Sequence, residues 1–212
     1  MSSIKQTVIV LLCVIALIVG MMVARVVRSP EISTEQLQQL GAIVKQQSTK
    51  LADFSLIDHQ GRTFDNRRLQ GKWSLVFFGY TYCPDVCPTT MALLSQLEQE
   101  LQGSIAEDNT QYILASVDPE RDTPEKLAEY VTHFNTDFIG VTGEVASMFE
   151  FARNLNSMFA KAPIDDSGSY LVDHSMSIAI INPAGEHHGF LRGPHNVANM
   201  NQALRAIMGN YR

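Results

Sequence analysis

The sequence predicts an α/β domain of three layers, a mixed central sheet with helices on its faces, preceded by one transmembrane helix. Three observations carry that expectation. Residues 8–24, VIVLLCVIALIVGMMVA, are 17 in a row without a charge. Further on, SLVFFGY (74–80) and YILASVD (112–118) are continuous apolar runs, the pattern of strands covered on both faces. Between and after them lie segments with helical periodicity, and that alternation is what builds layered α/β domains.

The chain has 212 residues, enough for one full hydrophobic core. Its 16 basic and 22 acidic side chains leave a net charge of −6. No stripe of Arg and Lys with interleaved aromatics is present, which argues against nucleic acid as a partner. The apolar N-terminal stretch reaches the roughly 20 residues a bilayer requires once Gln6, Thr7, Val26 and Val27 are included. Gly20-Met21-Met22-Val23-Ala24 is a poor small-residue cleavage site, so residues 8–27 read as an uncleaved signal-anchor. Cys13, preceded by two leucines, reads as an apolar residue within that span. Lys5 on one side and Arg25 and Arg28 on the other leave the orientation undecided by charge.

Residues 28–49, rich in Gln, Ser and Glu, read as a tether leading into a short helix around Thr34 to Gln47, and the domain is expected over 50–212. LADFSLIDHQGRTF has strand-like alternation broken at Asp58-His59-Gln60-Gly61, a small hairpin. The strand at 74–80 leads to a helix over Thr90 to Leu101, with Leu93, Leu94, Leu97 and Leu101 on one stripe. After the strand at 112–118, Thr123-Pro124-Glu125 is a helix start, a polar cap followed by proline at the first position, and the helix runs to Phe134. A short strand at 138–141 and a helix at 143–154 follow. SMSIAIINPAG (175–185) closes in a turn, GFLRG pairs with it, and 196–208 is a terminal helix. A thioredoxin-like fold fits this order. Right-handed crossovers then bring Cys83, Cys87 and Asp118 to the carboxyl edge of the sheet, where open α/β domains bind ligands.

Two of the three cysteines stand four apart in CPDVCP. One local pair outside the membrane points to chemistry rather than to a disulfide scaffold. Pro88 suits the first position of a helix and makes Cys87 the expected N-cap, where the helix terminus would favour a thiolate. Two thiolates select soft metals, Cu(I), Zn or iron–sulfur; zinc and cubane clusters want four protein ligands, whereas a cuprous ion tolerates two or three, which leaves open whether a histidine joins the pair. Of six histidines, His59 and the pair His187-His188 fall in expected hairpin turns and His133 near a helix end, all read as solvated surface; His195 is placed to cap a helix. His174, in YLVDHSMSIAII, lies at the mouth of a buried strand and reads from position alone either as a ligand or as a hydrogen-bonded structural histidine. Asp118 is read either as a turn cap or as a residue that orients a ligand or partner, and Asp85, between the cysteines, as mainly solvent-exposed. Met176 is expected to pack in the core, and Trp73, Phe77, Phe78 and Tyr80 to form core and rim. Tyr82 is a candidate shield beside the site.

FGYTYCPDVCPT (78–89), VDPERDTPE (117–125) and YLVDHS (170–175), in that order, resemble the SCO/SenC family of membrane-anchored copper chaperones for cytochrome c oxidase assembly. The resemblance covers roughly residues 50–209. It implies a thioredoxin-like domain on one transmembrane helix, with residues 1–7 cytoplasmic and the domain facing the periplasm from the bacterial inner membrane. It also implies copper held by Cys83, Cys87 and His174, read here as Cu(I) with Cu(II) left open, and delivery to the binuclear centre of oxidase subunit II or to its assembly factors. Family members commonly carry histidine where this chain has Tyr82. The competing readings are a thiol–disulfide oxidoreductase acting on the target's cysteines, and a redox or copper sensor. A structural disulfide closing so short a loop would constrain little unfolded chain.

Overall fold

The computed structural model describes residues 2–27, 32–103, 109–164 and 168–211. The chain separates into an N-terminal unit and a main unit, Ser33–Tyr211. The N-terminal unit holds one helix, α1 (Ser2–Val27), where the sequence predicts a membrane span. Among the described residues no helix is long and apolar enough to cross a membrane, so the structure shows the helix but not a crossing. Residues 28–31 of the expected tether lie outside the described residues.

The main unit opens with α2 (Thr34–Gln39), started by a capping box in which the Ser33 hydroxyl and the Gln36 side chain each accept from the other's backbone N–H. The helix expected to reach Gln47 stops at Leu40. Gly41 takes a left-handed conformation (φ 81°), and the chain turns into β1 (Ala42–Lys50). Its polar sequence, AIVKQQSTK, carries no apolar stripe at helical spacing, and pairing with the last strand of the sheet decides its state. There follow β2 (Ser55–Asp58), β3 (Thr63–Asp65), a 3-10 turn (Asn66–Leu69), β4 (Trp73–Gly79), α3 (Val86–Leu101), β5 (Thr110–Ser116), α4 (Pro124–Phe134), β6 (Ile139–Thr142) and α5 (Val145–Asn154). Two strands not anticipated from the sequence come next, β7 (Phe159–Lys161) and β8 (Val172–His174), then β9 (Ile178–Ile181), β10 (Glu186–Leu191) and α6 (Val197–Asn210).

Eight strands form one sheet in the order β1-β10-β9-β4-β5-β6-β2-β3. β4, β5 and β6 are parallel and the other pairs antiparallel, so the sheet is mixed, as expected. β4 is buried at every residue and sits at the centre. Its alternation places the layers: Phe77 and Gly79 point to the side of Cys87 in α3, and Phe78 points the other way, its ring 5.8 Å from that of Phe151 in α5. β7 and β8 form a separate two-stranded sheet with Phe159 opposite His174.

β10 begins earlier than the expected hairpin, and this buries what the sequence places in a turn. His187 has no exposed surface: Lys45 Nζ donates to its Nδ1 (3.2 Å), and its Nε2–H donates to the Gly189 carbonyl (3.1 Å). Burial, aided by the Lys45 charge, lowers its pKa to about 4 from 6.5. The unfolded chain therefore takes up this proton near pH 6.5 and the folded chain only near pH 4, so stability is lost as pH falls through that window. The loss reaches on the order of 3 kcal/mol. In urea unfolding between pH 7 and 4, His187→Gln should flatten that part of the dependence; an unchanged pH profile would show that His187 does not carry it.

Candidate metal centre

The cysteine loop hangs from the end of β4. Asp85 takes the N-cap position of α3 without a side-chain bond to the helix and is exposed. Cys87 is the second helical residue and Pro88 the third, rather than cap and first position. The first turn tolerates the proline because N–H groups there have no intrahelical partner. Cys87 is fully buried, and Gly79 makes the room: a Cβ at 79 would stand 2.9 Å from Cys87 Sγ and 2.9 Å from the Phe77 ring. Burial, helped by the neighbouring Cys83 sulfur, pushes the Cys87 thiol well up, the opposite of the lowering expected from a helix terminus. Cys83 is part-buried, and its Sγ accepts the Cys87 N–H at 3.4 Å. Both thiols are free, and no disulfide joins them. The loop is held by Asp122, a buried carboxylate that accepts from Thr81 N–H (3.2 Å), Thr81 Oγ1 (2.6 Å) and Ser116 Oγ (2.7 Å).

His174 arrives on β8, and its ring meets Phe77 and Tyr80 edge-on at 5.8 and 5.9 Å. The Val172 N–H donates to Tyr80 Oη (3.2 Å). His174 Nδ1 lies 3.1 Å from the Ser175 carbonyl, which can only accept, so Nδ1 carries the proton. Nε2 is left with its lone pair 3.5 Å from Cys87 Sγ, and burial lowers the pKa, keeping the imidazole neutral. One donor atom from each of Cys83, Cys87 and His174 lies within 4.8 Å of the others. Two sulfurs and a neutral imidazole fixed by a backbone carbonyl suit a soft metal ion. A groove of about 250 Å³ lined by Tyr80, Cys83, Asp85, Leu171, His174 and Met176 leads in from solvent.

Asp118 is buried and makes no hydrogen bond to these three side chains; it accepts from Tyr170 Oη (2.9 Å) and from Arg121 Nε. Tyr82 is half-exposed, with its hydroxyl bonded to Lys126 Nζ at 2.7 Å. Met176 is not in the core but 50% exposed on the groove wall. It lies between β8 and β9, so the strand expected from 175 begins only at Ile178. His133 is exposed as expected. His59 is buried instead, accepting the Gly140 N–H at 3.1 Å, because the β2–β3 turn folds against β6. His188 lies edge-on to Trp73 at 5.3 Å. Asn196 caps α6 in place of His195, whose Nε2–H donates to the Met176 carbonyl at 2.7 Å. Sequence reasoning missed Arg121, Asp122 and Tyr170. The available signal was the charged run DPERD directly after a buried strand.

Gly79→Ala tests the packing beneath Cys87. The added methyl must displace the sulfur or the Phe77 ring, at a cost of about 1–3 kcal/mol. Unfolding by urea should show that loss, and a variant as stable as the parent would mean the pocket beneath Cys87 is looser than this geometry.

Residues 43–209 match the SCO1/SenC family model. The chain is 31% identical over 188 residues to an SCO2-like protein of Rickettsia conorii, covering 87% of this chain and 90% of that one. It is 31% identical over 175 residues to the mitochondrial SCO2 homolog of Bos taurus, covering 82% of this chain and 66% of that longer protein. The crystal structure of Arabidopsis thaliana ScoI with copper bound superposes with a TM-score of 0.70 at 32% identity, covering 76% of this chain and 98% of that one. The family match takes in the whole eight-stranded sheet except the first residue of β1, together with both loop cysteines and the histidine hairpin, and the chain belongs to the SCO1/SenC family.

Proposed function

We propose that this protein is a copper carrier that holds Cu(I) through Cys83, Cys87 and His174 and passes it to the binuclear copper centre of cytochrome c oxidase subunit II. The observation that carries the proposal is the convergence of two thiols and one lone-pair-bearing imidazole nitrogen within 4.8 Å, in a chain similar to a ScoI whose structure has copper bound. Oxidase subunit II as target rests on the sequence resemblance.

Copper here is cargo, and the three ligands differ in how they release it. Cys87 is sealed beneath β4, whereas Cys83 is part-exposed and His174 borders the groove. An incoming ligand reaches Cys83 and His174 first, so exchange proceeds from the groove inward and Cys87 lets go last. Each thiol must give up its proton to bind, so affinity rises with pH.

A Cu(I) titration of the reduced full-length chain against a competing chelator tests the site. Cys83→Ser with Cys87→Ser should abolish tight binding. His174→Ala should weaken it by more than about tenfold, a cost already typical of losing an outer partner of a metal ligand. Undiminished binding by His174→Ala would contradict the three-ligand site and favour the pair as a thiol reductant.

We further propose that α1 anchors the chain in the bacterial inner membrane with the main unit in the periplasm. The 17 uncharged residues at 8–24 and the family resemblance support this reading. The chain should resist extraction by alkaline carbonate and be digested by protease added to spheroplasts; release by carbonate would contradict it.

A further inference from the structure

His174 and Cys83 belong to segments with no shared backbone pairing. The histidine lies on the small β7–β8 sheet, and the cysteine on the loop after β4. Side chains must therefore hold the two segments in register: Tyr80, at the end of β4, accepts the Val172 N–H and meets the His174 ring, and a second residue reaches both segments. Arg121, on the loop after β5, places its guanidinium carbon 3.6 Å from the Tyr170 ring centroid and 4.8 Å from that of Tyr82. Tyr82 is the neighbour of Cys83, and Tyr170 precedes His174 by four residues.

The stack continues on both sides. Lys161 lies 3.8 Å from the Tyr170 centroid and Lys126 4.8 Å from that of Tyr82, so cations and rings alternate from the hairpin to α4. Hydrogen bonds fix the centre of this ladder. Arg121 Nη2–H donates to the Tyr170 carbonyl (3.1 Å), Arg121 Nε–H to Asp118 Oδ2, and Tyr170 Oη–H to Asp118 Oδ1 (2.9 Å). Asp118 is itself fixed by its N–H to Ser116 Oγ (3.0 Å) at the end of β5. A planar guanidinium can stack on two rings and donate in its own plane at once, which an ammonium cannot.

We infer that Arg121 is a positioning residue for the metal centre: it latches the histidine hairpin to the cysteine loop and holds His174 at the distance the two sulfurs require. It makes no hydrogen bond to the three donor side chains and acts through Tyr170 and Tyr82. This rests on the proposed copper site, and the test separates the two.

The experiment is a double-mutant cycle in Cu(I) affinity on the reduced full-length chain, with amide hydrogen exchange at Val172 measured in the metal-free protein. Arg121→Ala should weaken Cu(I) binding by about tenfold, the scale of outer-shell losses at metal-bound histidines. In the His174→Ala background the same change should cost nothing further, because its effect passes through the histidine. Exchange of the Val172 amide, whose N–H is bonded to Tyr80 Oη, should quicken in Arg121→Ala without any metal present. Arg121→Lys, which keeps the charge but not the plane, should restore only part of either loss and serves where the alanine variant does not fold. If His174→Ala weakens binding and Arg121→Ala or Arg121→Lys does not, or if the two effects add, the latch is overturned and the copper site stands. If His174→Ala leaves binding intact, the three-ligand site fails instead, and unchanged Val172 exchange would overturn the latch by itself.

Discussion

The packing of Cys87 against the end of β4 is the constraint from which the rest of the site is built. A strand buried at all seven residues ends in a glycine, and the missing Cβ lets a sulfur occupy the space between Phe77 and the first turn of α3. That sulfur cannot move without opening the core, so the other two donors must come to it. Cys83 does so through the loop, its sulfur bonded to the Cys87 N–H, with Asp122 tying Thr81 back to β5. His174 does so from outside the main sheet, against the faces left by Phe77 and Tyr80.

This division of labour would suit the proposed carrier, which must both hold and surrender a metal ion. The deepest ligand belongs to the core and the least secured one to a three-residue strand, β8, kept in place by side chains. In the proposed carrier a fixed sulfur would preserve the site between deliveries, while the hairpin, paired only within its own two-stranded sheet, would yield at smaller cost. The His174 tautomer fits the same plan: the Ser175 carbonyl fixes the proton on Nδ1 and leaves Nε2 facing the thiols.

Elements whose own residues determine them were legible in the sequence. β4 and β5 announce themselves as apolar runs, and α4 by Thr123, whose side chain accepts the Lys126 N–H, followed by Pro124. β1 and the β7–β8 pair were not legible, since short or polar strands are fixed by partners far along the chain. The Cys87 environment was misjudged for a related reason: its burial depends on Gly79 and Phe77, which spacing within CPDVCP does not reveal. His59 does lie in the expected turn, but that turn folds against β6, and His187 was read as surface because β10 begins earlier than the expected strand. Cys83, Cys87 and His174 stood out by residue type and by resemblance to a family. Arg121 and Tyr170 did not, since their roles arise from contacts across 49 residues of sequence.

The central claim is that the loop and the hairpin together form one three-donor site. X-ray absorption at the copper edge of the Cu(I)-loaded full-length protein tests it most directly. The account predicts two sulfur neighbours and one imidazole nitrogen, with the imidazole contribution absent in His174→Ala. A purely sulfur-ligated copper in the parent protein would contradict it.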